Sequence, residues 1–194
     1  MKANELLKII QNINKSFYTL NDFVKLTGQS KNNVRVELNR LAKAGVVLRL
    51  RRNMYVPAGA KIDWELIAEQ IAPESYVSFE SALSFYNIIN QVPYELTMAR
   101  LNKSRRVKLA GKDISFRRLK KELYGGFVVN NKIKIATPEK ALLDLIYLSV
   151  RGQTNFNFTE LDLSVIKKQE IKKLLVDFSY SKETENRIKE VLGV

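Results

Sequence analysis

The 194-residue chain contains no cysteine and no histidine. Without cysteine there is no disulfide and no thiol nucleophile, and structural zinc sites lose both of their usual ligands. Without histidine the side chain best matched to proton transfer near neutral pH is missing. No run of about eighteen apolar residues occurs, and Met1-Lys2-Ala3-Asn4 opens no long apolar stretch, so nothing reads as a membrane span or a leader. Phosphate-binding glycine patterns are missing as well: none of the eight glycines is followed by serine, and neither a P-loop nor a GxGxxG occurs. These absences predict a soluble, cytoplasmic protein with no cofactor and no metal. Metal-dependent strand chemistry would need converging acids, for which Asp113, Glu122, Glu139 and Asp144 are the candidates. Helix capping and surface pairing account for them more simply, and no catalytic residue is assigned.

What is present is apolar substance and positive charge. Hydrophobic residues make up 45% and aromatics 9% of the chain, enough to close real cores. The length accommodates two small domains. Lys and Arg number 33 against 20 Asp and Glu, a formal charge of +13 that favours a polyanionic partner. The excess is uneven. Residues 1–60 carry eleven basic and three acidic side chains, a net of +8, whereas residues 151–194 carry eight and seven. A second basic stretch runs from Arg100 to Lys121, ten cations opposed only by Asp113 in an otherwise acidic segment.

Within the first sixty residues, Leu6, Leu7, Ile10 and Ile13 recur at helical spacing. Thr19 with Asp22 three residues later predicts a capped second helix that Gly28 ends. Ser30 caps a third, in which Val34, Leu38 and Leu41 repeat at i, i+4 and i+7 until Ala44 and Gly45. Two helices about a tight glycine turn make a helix-turn-helix. With that apolar row facing a core, Asn32, Val36, Asn39 and Lys43 point away, flanked by Asn33, Arg35 and Arg40. Asn pairs with adenine edges, Arg with guanine, and Val36 suits a thymine methyl. An exposed helix with an arbitrary polar face is the alternative. Val46 to Leu50, a tip of Arg51, Arg52 and Asn53, and Met54 to Val56 read as a two-stranded wing, with Arg49 completing a cationic set for gripping phosphates. The predicted DNA-binding set is Ser30, Lys31, Asn32, Asn33, Arg35, Val36, Asn39, Arg40, Lys43, Arg49, Arg51, Arg52 and Asn53. Pro57 and Gly59 mark the boundary between domains at 1–60 and 61–194.

The remainder alternates helical and strand-like runs, an α+β pattern. Helices are expected after Asp63, over Glu80 to Ile88, after the Thr137-Pro138 start signal, and around Val165 to Phe178 and Lys182 to Leu192. A short apolar run stands at Tyr76-Val77, and strands are expected at Leu96 to Met98, Ile114 to Leu119, Phe127 to Val129 and Lys132 to Ile135. The apolar helix through Ala141, Leu142, Leu145, Ile146 and Leu148 is expected at the centre of the second domain.

Several of these runs resemble the AbiEi-type antitoxin family, the regulatory half of bacterial abortive-infection, type IV toxin-antitoxin pairs. The similar features are the helix-turn-helix and the hairpin Leu48-Arg49-Leu50-Arg51-Arg52-Asn53-Met54-Tyr55, with Asn53 where glycine is expected. Further along come Tyr76-Val77-Ser78-Phe79-Glu80-Ser81-Ala82-Leu83, Gln91-Val92-Pro93, and Ala136-Thr137-Pro138-Glu139-Lys140-Ala141-Leu142-Leu143-Asp144-Leu145. The resemblance covers residues 1 to about 150. It implies an autorepressor that binds inverted repeats in double-stranded DNA at its own promoter. It also implies a second domain that neutralises a nucleotidyltransferase-like toxin without a stable complex. The second basic stretch, Arg100, Lys103, Arg105, Arg106, Lys108, Arg117, Arg118, Lys120 and Lys121, is the candidate antitoxin or nucleic-acid surface. A plain transcription factor with a ligand-sensing or partner-binding second domain is the other reading.

Overall fold

The computed structural model describes residues 15–193, so the first expected helix lies outside the described residues. The chain divides into two compact units, one running to Ile67 and taking in Lys108–Lys112, the other holding Ala68–Val107 and Asp113 onward. Both helices and sheets are present, an α+β architecture in which the sheets are separate.

In the first unit, Thr19 starts helix α1 (Leu20–Thr27) with a full capping box. The Asp22 N–H donates to Thr19 Oγ1 at 3.2 Å and the Thr19 N–H donates to the Asp22 carboxylate at 2.7 Å. Gly28 closes α1 at φ +65°, a conformation that costs glycine nothing. Ser30 Oγ accepts the Asn33 N–H at 3.3 Å and starts α2 (Lys31–Lys43). Strands β1 (Val47–Arg51) and β2 (Met54–Pro57) form an antiparallel hairpin, and Tyr18 exchanges two backbone hydrogen bonds with Tyr55 at 2.8 and 2.9 Å. The core gathers Tyr18, Leu20, Phe23, Val34, Leu38, Leu41, Val47 and Tyr55. Phe23 lies between two tyrosine rings, its centroid 5.8 Å from Tyr18 and 6.0 Å from Tyr55. Each such side chain contributes about 1.5–3 kcal/mol by leaving water.

The second unit is built on a six-stranded mixed sheet. After α3 (Trp64–Ile71) come β3 (Tyr76–Val77), α4 (Phe79–Phe85), β4 (Leu96–Arg100), β5 (Arg105–Leu109), β6 (Lys112–Arg118), β7 (Phe127–Asn130) and β8 (Ile133–Ala136). They line up as β5-β6-β4-β3-β8-β7, with β4–β6 and β3–β8 parallel. Helix α5 (Pro138–Val150) buries every residue from Glu139 to Leu148 and packs on α4, α6 (Lys168–Asp177) and α7 (Lys182–Leu192). A helix with apolar residues on every side is stable only in such a setting. Two details depart from the sequence reading. The helix expected to reach Ile88 stops at Phe85, with Asn87 turning at φ +57°. Strand β5 was not expected, because three of its five positions, Arg105, Arg106 and Lys108, are charged and exposed.

Charged groups sit inside this core. Lys140 and Asp144, one turn apart on α5, are both fully buried and paired. Ser78 Oγ donates to Asp144 Oδ2 at 2.7 Å and the Tyr76 hydroxyl donates to the same oxygen at 3.1 Å. The Lys140 ammonium also lies 4.9 Å from the centroid of the Phe178 ring. Burial pushes the Asp144 carboxyl up, with the Lys140 ammonium and the two hydroxyls pulling the other way. Ser78 stands at the N-cap of α4 yet makes no capping bond, its hydroxyl being committed to Asp144. Glycine is required beside this pair: Gly126 sits at φ +68°, and a Cβ there would meet Lys140 Cγ at 2.9 Å.

Candidate nucleic-acid interface

On α2 the burial of Val34, Leu38 and Leu41 leaves a broad outer face. Lys31, Asn32, Asn33, Arg35, Val36, Asn39, Arg40 and Lys43 are all exposed, Val36 at 69%. Ser30 differs from its neighbours in role, since its hydroxyl is used in capping. Three of these polar side chains are already engaged, in two contacts. Arg40 forms a two-point ion pair with Glu37 at 3.1 and 2.7 Å, which holds the Glu37 carboxyl below its ordinary value. Arg35 Nη1 donates to Asn32 Oδ1 at 3.3 Å. Both contacts are at the surface, where a pair contributes little, so a bound base or phosphate can compete for either cation. Glu37, half-buried on the same helix, is thus tied to Arg40.

The hairpin carries Arg49, Arg51, Arg52 and Asn53, all exposed. Arg49 Nε donates to the Arg51 carbonyl at 3.4 Å, and the Arg51 guanidinium lies against Met54 Sδ. The register slips between Arg49 and Arg51, a bulge that increases local twist. Asn53 takes φ +64°, the left-handed turn for which glycine was expected. Asn is the commonest other residue to tolerate it, through its short polar side chain. Helix and hairpin thus put two exposed basic elements into one unit, fixed to one core through Leu41, Val47 and Tyr55.

The second basic stretch is not one surface. Arg100 is 7% exposed, pairs with Glu74 and lies 5.7 Å from the centroid of the Phe116 ring. Arg117 bridges Glu80 at 2.8 and 2.9 Å and Glu95 at 3.0 Å, over the Phe79 ring. These two were expected on a polyanion-binding surface; they are interior counter-ions, because β4 and β6 turn them toward the acids of the same unit. Arg105 donates to the Ile71 carbonyl at 3.2 Å and covers Phe116, and Arg106 reaches Glu95 at 3.4 Å. Lys108 belongs with the first unit. Lys103, Arg118, Lys120 and Lys121 are exposed. Crowding of like charge is therefore relieved for part of the stretch by Glu74, Glu80 and Glu95, which no linear reading could pair with it.

No family model and no curated protein matches the chain. In three dimensions it is similar to the crystal structure of the RV2827C protein from Mycobacterium tuberculosis. The TM-score is 0.69 at 12% sequence identity, over 98% of this chain and 76% of that one. The likeness shows the fold alone.

The candidate acids do not converge. Glu139 Oε1 accepts the Lys167 N–H at 3.0 Å, and Asp144 is locked to Lys140. Among the described residues no three acids gather in a way that could hold a metal ion, and no helix is long and apolar enough to cross a membrane. Sequence reasoning missed Arg151. It is exposed at the C-terminal end of α5, with its guanidinium 5.6 Å from the centroid of the Tyr147 ring. The spacing of four residues along a helix was the available signal.

Proposed function

We propose that the first unit is a winged helix-turn-helix that binds double-stranded operator DNA, with α2 reading base edges in the major groove and the β1–β2 wing gripping phosphates. The observation that carries this reading is the outer face of α2. Asn32, Val36, Asn39 and Lys43 lie exposed along one side of a helix whose opposite side is fixed in a core. Those residue types match adenine edges, thymine methyls and phosphates. The hairpin adds Arg49, Arg51 and Arg52. By its resemblance to the AbiEi-type antitoxins, the protein represses its own promoter at inverted repeats and acts as the antitoxin of a type IV pair, neutralising a nucleotidyltransferase-like toxin.

The test separates grip from readout in the full-length chain, using duplexes with and without the inverted repeats upstream of its own reading frame. Arg51→Ala with Arg52→Ala weakens binding to every sequence and flattens the slope of log K against log salt by about 0.9 for each phosphate that is no longer neutralised. Asn39→Ala reduces discrimination at one base pair by roughly 1–3 kcal/mol and leaves the slope unchanged. Equal loss of specificity in both classes overturns the assignment. The antitoxin half is tested by co-expression with any nucleotidyltransferase encoded beside it, growth being restored only when this chain is present. A regulator whose second unit senses a ligand is the second reading, favoured by a cation-lined cavity in that unit.

A further inference from the structure

Two adjoining cavities of about 480 and 200 Å³ open in the second unit and share Lys120, Tyr147 and Arg151. Arg118 lines the smaller one. Its backbone N–H donates to Ser104 Oγ at 2.9 Å, which fixes the chain there. Arg151 is pre-oriented by lying over the Tyr147 ring. Among the described residues none of these three cations has a carboxylate partner, although Arg100, Arg106 and Arg117 of the same stretch each have one. Glu183 is the single acid lining the larger cavity. Leu123, Val150 and Tyr147 give it an apolar and aromatic wall.

Three unpaired cations around a concavity repel one another, and a multiply charged anion relieves that repulsion more fully than monovalent salt does. The larger cavity falls within the roughly 300–1,000 Å³ of small-ligand sites. A bare anion would leave the apolar wall unused, whereas a nucleoside triphosphate brings a polyanionic end and a flat base together. We propose that this groove binds a nucleoside triphosphate, with Arg118, Lys120 and Arg151 on the phosphates and the base against Leu123, Val150 and the edge of Tyr147. Its lining residues all belong to the second unit, and its occupation does not depend on whether the first unit binds DNA.

The experiment is calorimetric titration of the full chain with ATP, with inorganic tripolyphosphate and with a short DNA duplex. ATP is expected to bind saturably with Kd below about 1 mM. Tripolyphosphate should bind several-fold more weakly, because it cannot use the apolar wall. The triple variant Arg118→Gln, Lys120→Gln, Arg151→Gln should weaken ATP at least about tenfold while leaving duplex binding unchanged. All three residues are exposed, so a thermal melt should match that of the parent. Lys120→Gln alone, with a few-fold effect, repeats the test if it does not. Absence of saturable ATP binding, ATP affinity unaltered in the variants, tripolyphosphate binding as tightly as ATP, or a loss confined to the duplex would each overturn the proposal.

Discussion

Replacing Lys140 by Met isolates the Asp144 carboxylate in a site with no access to water, since both side chains of the pair are fully buried. Ser78 and Tyr76 still donate to one carboxylate oxygen, but neither supplies a charge. Removing one partner of a buried ion pair costs about 3–5 kcal/mol, a large share of the roughly 5–15 kcal/mol by which a domain is stable. Asp144→Asn inverts the defect, leaving an ammonium without its counter-ion, and should cost a similar amount. The double variant has no buried charge. Its Asn carbonyl still accepts from Ser78 and Tyr76, and only the neutral amide NH2 lacks a partner, a penalty of about 1–3 kcal/mol. The double variant should therefore be more stable than either single one. At a few degrees per kcal/mol for a chain of this size, each single variant should melt roughly 10 °C or more below the parent. Urea unfolding of the four proteins of the cycle, followed by circular dichroism, measures the coupling directly. Losses that simply add, or single variants that each lose under about 1 kcal/mol, would refute the claim that this pair is desolvated and mutually dependent.

Three further outcomes follow from local geometry. Thr19→Ala removes the capping box of α1 and should cost about 0.5–2 kcal/mol in thermal melts. Burial pushes the Asp22 carboxyl up, but the Lys15 ammonium and the Thr19 N–H and hydroxyl outweigh it and hold Asp22 below its ordinary 3.8. Its contribution is thus complete above that pH and is lost as pH falls through the folded-state value, so the acid limb of the stability profile should be shallower in Thr19→Ala. Gly126→Ala should destabilise by about 1–3 kcal/mol, from positive φ and from the clash with Lys140, whereas Gly152→Ala, with open space around it, should cost only the conformational strain. Arg117→Met should lower the melting temperature by leaving Glu80 and Glu95 without their shared partner, whereas Lys121→Gln should not; equal effects would return Arg117 to the surface.

Local signals were legible residue by residue. Thr19 with Asp22, Gly28, Ser30, and Thr137 with Pro138 each govern a helix end through atoms within four positions of one another, and the structure places helix ends at all of them. The face of α2 was legible for the same reason: a fixed turn per residue converts the row Val34, Leu38, Leu41 into one buried side and so names the exposed one. Strand β5 was not legible, because an edge strand has one neighbour and tolerates charge where a central strand needs alternation.

The same contrast separates the two kinds of basic residue. Composition alone determined that this chain is cationic, histidine-free and concentrated in positive charge near its start. It could not distinguish Arg117, turned inward to Glu80 and Glu95, from Arg118, turned outward one residue later, because strand pairing assigns alternate residues to opposite faces. Nor could it show that Tyr76, Ser78, Lys140 and Asp144, spread over two runs of sequence, meet in one buried network. Short-range rules act on neighbours in the chain. Lys140 and Asp144 pair within one turn of α5, but the hydroxyls that complete their network come from Tyr76 and Ser78, more than sixty residues away, and only the packed sheet and α5 bring those together.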